Sequence, residues 1–353
     1  MLHTSLCTDR TRWDAFLTEH DAPTFLQSWE WRLFNEAQGY KTFPFVFEQE
    51  GKIIGIALVL KILAKRGTHL LCAHGPIIAE GNDPKEVLLS LTEALTILGK
   101  QEACDFIRLC PLLPDGKDSG SLCGELGYRP APIHHAPELA WILDLSPSEA
   151  DLLKNMRKAT RYTINRTEKD GIEISSSNRL EDLDRFWEVY KETADRQHFT
   201  PFSKSYLETE FKTFQARGQA KFFFGSHGGQ TISTALVLFS PQSAFYHHGA
   251  SSHAFTKINA SCAVQWAAIQ EAKSRGCRWY NFWGIAPPDQ PKHPWTGLSL
   301  FKMGFGGEAH PYLHAQDKPL TKKYWLNYLI ERVRAKKRGF FYPDPLKSKS
   351  PSA

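Results

Sequence analysis

The chain lacks any apolar run of about 18 residues, the length a bilayer-spanning helix needs. Its greasiest stretch, Ile53 to Ala64, is interrupted by Gly55 and Lys61, which excludes an integral membrane protein. The first ten residues carry neither a basic flank before an apolar core nor a small-residue cleavage site, so no export signal is readable and the expected location is the cytoplasm. Cysteine is sparse and odd in number: seven residues, at 7, 72, 104, 110, 123, 262 and 277, with no Cys-x-x-Cys pair. That excludes a disulfide framework, argues against structural zinc, and fits reduced, buried thiols. Neither the Gly-x-Ser-x-Gly elbow of a serine hydrolase nor a Walker loop is present. What remains is a globular composition, 353 residues with 42% hydrophobic and 23% charged, enough for about two domains with buried cores.

Charge is unevenly placed. The net is +5, but from Lys318 onward ten Lys or Arg face only Glu331 and Asp344, leaving the first 317 residues slightly acidic. Tyr324, Trp325, Leu326, Tyr328, Leu329 and Ile330 interleave with Lys322, Lys323, Arg332 and Arg334, a helix with an apolar and a cationic side. Its expected place is against a domain, with the cationic face in solvent.

Laid on itself, the sequence repeats. Gly51 to Leu60 (GKIIGIALVL) and Gly229 to Leu238 (GQTISTALVL) align without a gap at an offset of 178, each a hairpin turn followed by a strand. An apolar strand precedes each turn (Phe43 to Phe47; Phe222 to Phe224), and a later strand ends at His-Gly (His74-Gly75; His248-Gly249). A helical stretch then leads to another strand (Asp105 to Leu109; Arg278 to Phe282), preceded by Cys104 and Cys277. Further on, Gly127-Tyr128 faces Gly304-Phe305. Offsets of 173 to 178 in one order point to two copies of one α/β unit, each a mixed sheet with helices on its faces.

That order resembles the GNAT acyltransferase fold, in which the fourth and fifth strands splay apart and the acyl donor lies in the cleft. The expected organisation is a first GNAT-like domain over 1–145, packed by the C-terminal helix 320–338, a second over 146–317, and a tail over 339–353. The linker falls at Leu145-Ser146-Pro147-Ser148-Glu149, where Ser146 with Glu149 reads as a capping box. The helix it opens should share one side among Leu153, Met156, Thr160 and Ile164, while Lys154, Arg157, Lys158, Arg161, Arg166 and Lys169 make it basic. Phosphate is the natural partner of such a face. A coenzyme A pyrophosphate loop needs closely spaced glycines, yet the loop from Gly249 to Asn259 has one glycine and Gly75 is followed by Pro76.

Two segments resemble the Fem peptidyltransferases (FemABX family): Asn155 to Arg166, ending at Gly171, and Phe282-Trp283-Gly284-Ile285-Ala286-Pro287 followed by His293 to Gly307. With the duplication, the resemblance covers nearly the whole chain. It implies an aminoacyltransferase that moves an amino acid from aminoacyl-tRNA to the stem-peptide amine of a peptidoglycan precursor, with no cofactor. Some members carry a helical hairpin arm in the second domain; here the helix Leu180 to Arg196 runs straight into His198 to Phe202, the armless type. The acceptor is then the soluble UDP-MurNAc-pentapeptide or the lipid-linked precursor, met by a monomer with peripheral contact at the inner membrane face.

The resemblance assigns Lys302 the electrostatic role at the reacting carbonyl, with Phe301 lining the channel and Tyr246 as the channel tyrosine. It also assigns acceptor-phosphate contact to Arg196, with Tyr206 a weaker companion. After Gln27-Ser28-Trp29-Glu30-Trp31, Arg32 stands as a displaced substitute for the family's phosphate-binding lysine, and Arg161 belongs to the basic substrate-binding helix. No carboxylate base carries over to Ile107-Arg108-Leu109-Cys110-Pro111. No metal site is expected: Pro311 breaks the helical spacing of His310 and His314, and the neighbours in His134-His135 and His247-His248 should point to opposite faces of a strand. Competing readings are an acyl-CoA-dependent N-acyltransferase and a non-catalytic tRNA- or membrane-binding module.

Overall fold

The computed structural model describes residues 2–20, 22–64, 67–253, 259–291 and 293–337. The expected tail 339–353, the last residue of the expected helix 320–338, and the centre of the loop after Gly249 lie outside them. The chain divides into two compact units. One comprises the residues up to Phe16, Gly39–Glu138 and those from Pro311 on; the other comprises Leu17–Gln38 and Leu139–His310.

The first unit is built on a mixed sheet, in the order His3–Leu6, Lys41–Gln49, Lys52–Ile62, His69–Ala73, Phe106–Cys110, Gln316–Pro319, Arg129–Pro130, with Ile77–Ile78 also paired to Lys52–Ile62. His69–Ala73 and Phe106–Cys110 run parallel over five consecutive pairs. Between them in sequence, the helix Pro84–Gln101 crosses over. Its Asp83 N-cap accepts from Lys85 N, Pro84 opens the first turn, and Val87, Leu88, Leu91 and Leu95 at helical spacing are fully buried against the sheet.

The second unit repeats the plan in a seven-stranded sheet: Glu308–Pro311, Leu139–Asp144, Trp279–Gly284, Ser243–Ser251, Gln230–Phe239, Ala220–His227, Ile172–Ser177. Alternation along Ala220–His227 separates its faces. Phe223 joins the core under the helix Ser261–Ser274, whereas Phe222 stacks on Phe211 and packs against Phe186 from the helices Lys204–Gln215 and Leu183–Gln197.

The duplication extends to a β-bulge. In the first hairpin the register slips between Phe47 and Glu48, which face Gly55 and Ile53. In the second it slips between Gly225 and Ser226, which face Ser233 and Thr231. All four positions differ by the same 178. Both turns hold two residues at positive φ, Glu50-Gly51 and Gly228-Gly229, the tight geometry that suits the twist of a hairpin.

Two local expectations give way to the structure. The strand Leu139–Asp144, inside the expected first domain 1–145, pairs with Trp279–Gly284 in the second sheet, and Gln316–Pro319, at the end of the expected second domain, completes the first sheet beside Phe106–Cys110. A short apolar run can mark a strand but does not name its partner. The single basic helix is two, Glu149–Asn155 and Lys158–Asn165. Ser148 rather than Ser146 is the cap, because Ser146 is held by Asp144, and Met156 is extended (φ −66°, ψ 152°).

Candidate active site

The two parallel strands of the second unit pair only over Ser243–Phe245 and Trp279–Asn281. Beyond that point each strand departs from regular geometry. Ser243–Ser251 is bulged, since Leu236 faces His248 while Val237 faces Tyr246, and Trp283 adopts a left-handed φ of 69°, uncommon for a bulky residue. The strands therefore part, with Tyr246 and Gly249 on one side and Gly284 on the other. In the first unit the corresponding strands stay paired throughout their length.

Lys302 is held at this opening by the helix Thr296–Met303. Ser299 ties that helix to the strand end, accepting from Ala286 N at 2.7 Å and donating to Trp295 O at 2.8 Å. Phe305 stacks on Phe282 at 5.3 Å, and Phe301 meets Phe305 edge-on. Gly304 permits a close approach, since a Cβ there would lie 2.5 Å from Thr160 Oγ1. Lys302 is 5% exposed, and its ammonium group donates to the carbonyl oxygen of Gly284 at 2.6 Å. A neutral carbonyl balances no charge, so desolvation brings the lysine down to about 7.

Tyr246 joins this group through Phe282, whose ring it meets at 6.5 Å, and burial raises its phenol well above the ordinary value. Tyr246 and Phe301 thus pack against the core that contains Phe282, and Lys302 reaches the carbonyl of Gly284, two residues beyond that ring. Arg196, Tyr206 and Arg32 form a separate group among the helices on the other face of the sheet. Arg196 Nη2 reaches Ser251 Oγ at 3.3 Å. Tyr206 stacks on Phe202 at 4.4 Å and packs edge-on against Phe34. Arg32 pairs with Glu36 at 2.9 Å and lies over the Trp29 ring. Arg161 serves the local fold: its Nη1 bonds the carbonyls of Leu153, Lys154 and Met156, closing the end of the preceding helix.

One cluster contradicts the sequence reading. His247 and His248 do not diverge, because the bulge breaks strand alternation exactly where they stand adjacent. Both imidazoles reach Glu210: His247 Nε2 lies 2.8 Å from one carboxylate oxygen and His248 Nε2 lies 3.0 Å from the other. One ligand atom from each of the three lies within 4.8 Å of the others, so the expectation that this pair could not converge on an ion is overturned. Here the carboxylate already receives both rings. Glu210 is driven down to about 2 by His247 and His248 despite a desolvation that acts the other way. His314, by contrast, is held by Glu138 and Ala131 O.

With this geometry in hand, similarity to known proteins decides the family. The sequence profile of the FemAB family matches residues 8–117, 131–226 and 217–332. The chain belongs to the FemAB family. Among its relatives, the Lipid II:glycine glycyltransferase of Staphylococcus saprophyticus is 20% identical, over 92% of this chain and 94% of that protein. The FemAB chain superimposes on the crystal structure of FemX with a TM-score of 0.81 at 18% identity, covering 93% of this chain and 100% of that one. A tandem GNAT protein from the clavulanic acid biosynthesis pathway aligns with a TM-score of 0.57 at 12% identity, over 91% and 99% of the two chains. The tandem GNAT-like α/β architecture expected from the repeat is thereby established. Among the described residues no helical arm interrupts this FemAB fold: residues 198–203 alone separate Leu183–Gln197 from Lys204–Gln215.

Proposed function

We propose that this protein transfers an amino acid from aminoacyl-tRNA to the stem-peptide amine of a peptidoglycan precursor, extending the cell-wall cross-bridge. Family membership and the name of the Staphylococcus saprophyticus relative, Lipid II:glycine glycyltransferase, support the reaction class. The observation that carries the reading is Lys302, a buried cation beside the splayed strands that, among the described residues, is hydrogen-bonded by its ammonium group to a neutral carbonyl.

The chemistry is aminolysis of an ester. The acceptor amine forms the new C–N bond at the ester carbonyl, the C–O bond to the tRNA ribose breaks, and the proton lost by the amine ends on the departing ribose hydroxyl. An activated ester needs no enzyme nucleophile; it needs a positioned amine and a charge that stabilises the tetrahedral oxyanion. Lys302 supplies that charge. Its lowered pKa is restored toward ordinary values as an anionic substrate enters, so the cation is strongest when the substrate is in place. Tyr246 and Phe301 line the approach, and Arg196 and Tyr206 meet acceptor phosphates.

The test is transfer of a labelled amino acid from charged tRNA to UDP-MurNAc-pentapeptide and to the lipid-linked precursor. Wild type transfers, and Lys302→Ala falls by about 10²–10³ in turnover, the usual loss for one oxyanion partner. Full turnover by the variant overturns the mechanism. Coenzyme A binding with acylation of the amine overturns the donor assignment.

A further inference from the structure

The helix Tyr324–Lys337 keeps its cations outward as its sequence suggests, but most of its large apolar side chains lie outward with them. Its inward side is polar at the decisive position: Glu331 pairs with the buried Arg108 at 2.8 Å, and Arg108 is also forked onto the buried Asp317 at 2.7 and 2.8 Å. Tyr324, Asn327 and Ala335 complete that buried stripe at helical spacing. The outward side then carries the large apolar residues. Trp325 is 44% exposed, Leu326 58%, Leu329 58% and Val333 55%, and positions 325 or 326, 329 and 333 follow one another along a single face.

Such a stripe is costly in water and singular side chains do not explain it. Its surroundings indicate the occupant. Arg332, Arg334, Lys336 and Lys337 crowd the same helix, and Lys322 and Lys323 precede it, giving an apolar face bordered by cations with a tryptophan among them. A nucleic acid would take the cations but leave Leu326, Leu329 and Val333 in water. An anionic bilayer takes both: aliphatic side chains enter the acyl boundary while Lys and Arg meet headgroup phosphates. Among the described residues no helix is long and apolar enough to cross a membrane, so the contact lies in the interfacial plane. We propose that Tyr324–Lys337 is a membrane-surface helix that docks this protein on anionic phospholipid through Trp325, Leu326, Leu329 and Val333. The inference rests on the helix and not on the transfer chemistry. If the proposed function holds, it selects the lipid-linked acceptor over the soluble one as the physiological substrate.

The experiment uses the full chain with Val333→Cys carrying an environment-sensitive fluorophore; all seven native cysteines are buried and react slowly. Vesicles of phosphatidylcholine alone are compared with vesicles containing about 30% phosphatidylglycerol. The expected result is a blue shift with the anionic vesicles only, weakened by salt, and an affinity reduced at least about tenfold by Leu326→Glu with Leu329→Glu. The circular dichroism spectrum and melting temperature of that double variant stay at the wild-type values, which shows that it folds. No shift with anionic vesicles overturns the proposal. So does a shift given by uncharged tRNA instead, one that appears on raising protein concentration, or one already present in free protein and abolished by truncation after Lys337; these assign the stripe to RNA, to a second copy and to the chain's own tail. Vesicle binding without transfer, or transfer without vesicle binding, separates this inference from the proposed function.

Discussion

The Lys302 ammonium group donates a hydrogen bond, 2.6 Å long, to the carbonyl oxygen of Gly284, the last residue of the strand that parts from Ser243–Ser251. A buried lysine so placed is destabilising when charged. In the folded protein it titrates at about 7, against about 10.4 in an unfolded chain. Between those values the unfolded chain holds a proton that the folded one does not, so this residue makes stability rise with pH from about 7 to about 10. Below 7 the penalty is complete and amounts to a few kcal/mol. Lys302→Met should therefore unfold at a higher temperature than wild type at pH 6, with the gap closing toward pH 10, while transfer activity is lost. Thermal unfolding of both proteins across that range checks it, and a gap independent of pH would refute the burial argument.

Gly249 and Tyr246 make a second, tighter relationship. A Cβ at position 249 would lie 1.7 Å from the Tyr246 hydroxyl oxygen and 2.3 Å from Cζ, distances at which the ring must leave its place. Gly249→Ala is expected to cost about 1–3 kcal/mol as an overpacking change, and to lower transfer at least as far as Tyr246→Ala does. Melting temperature and turnover of the two variants, side by side, test it. Wild-type turnover by Gly249→Ala would remove Tyr246 from the site.

The repeat was legible because its physical constraints recur at fixed spacing. Glu50-Gly51 and Gly228-Gly229 both need left-handed turns, and the apolar strands on either side follow from them. Even the bulge, at Ile54 and at Ile232, obeys the offset. Pairing was not legible: the expected boundary at 145 puts Leu139–Asp144 in the first domain, but which sheet receives this apolar run depends on a chain path settled some 170 residues later. The Glu210 cluster was hidden for a related reason. Alternation sends His247 and His248 apart, and only the bulge, which no residue type announces, turns both toward one carboxylate. Lys302 could be singled out only by resemblance, since spacing alone makes it a surface lysine, and its burial is a property of the packed helix.

Arg108 ties the last strand and the last helix to the first sheet. Its guanidinium is forked onto Asp317, which is fully buried, and reaches Glu331 of the helix Tyr324–Lys337. Arg108→Met leaves Asp317 with the Tyr324 hydroxyl as its remaining side-chain partner, a loss of about 3–5 kcal/mol. Arg108→Met combined with Asp317→Asn should recover most of it, because the stranded charge is then gone. Denaturant unfolding of the single and double variants measures the coupling, and hydrogen exchange over residues 324–337 should accelerate in the single variant first. Equal stability of the two variants would show that the ion pair does not hold this segment.

Glu210 sets the acid limit of the second unit. Its carboxyl group, held near 2 by two imidazoles, would titrate near 4.3 in an unfolded chain. The stability it provides is thus fully present above about pH 4.3 and is lost as the pH falls toward 2. His248 works in the same direction: burial lowers its pKa, so below about 6.5 the unfolded chain gains a proton the folded one resists. In Glu210→Gln the amide oxygen can accept from one imidazole only, which removes one charge-assisted hydrogen bond and weakens the other, about 2–4 kcal/mol at neutral pH. Because wild type loses its own carboxylate contribution in acid, that difference should shrink steadily between pH 4.5 and pH 3. Urea unfolding of both proteins over this interval decides the matter. A difference that stays constant would mean that Glu210 acts through its shape, and a variant as stable as wild type at pH 7 would mean that the two histidines are held in place by the bulge and not by the carboxylate.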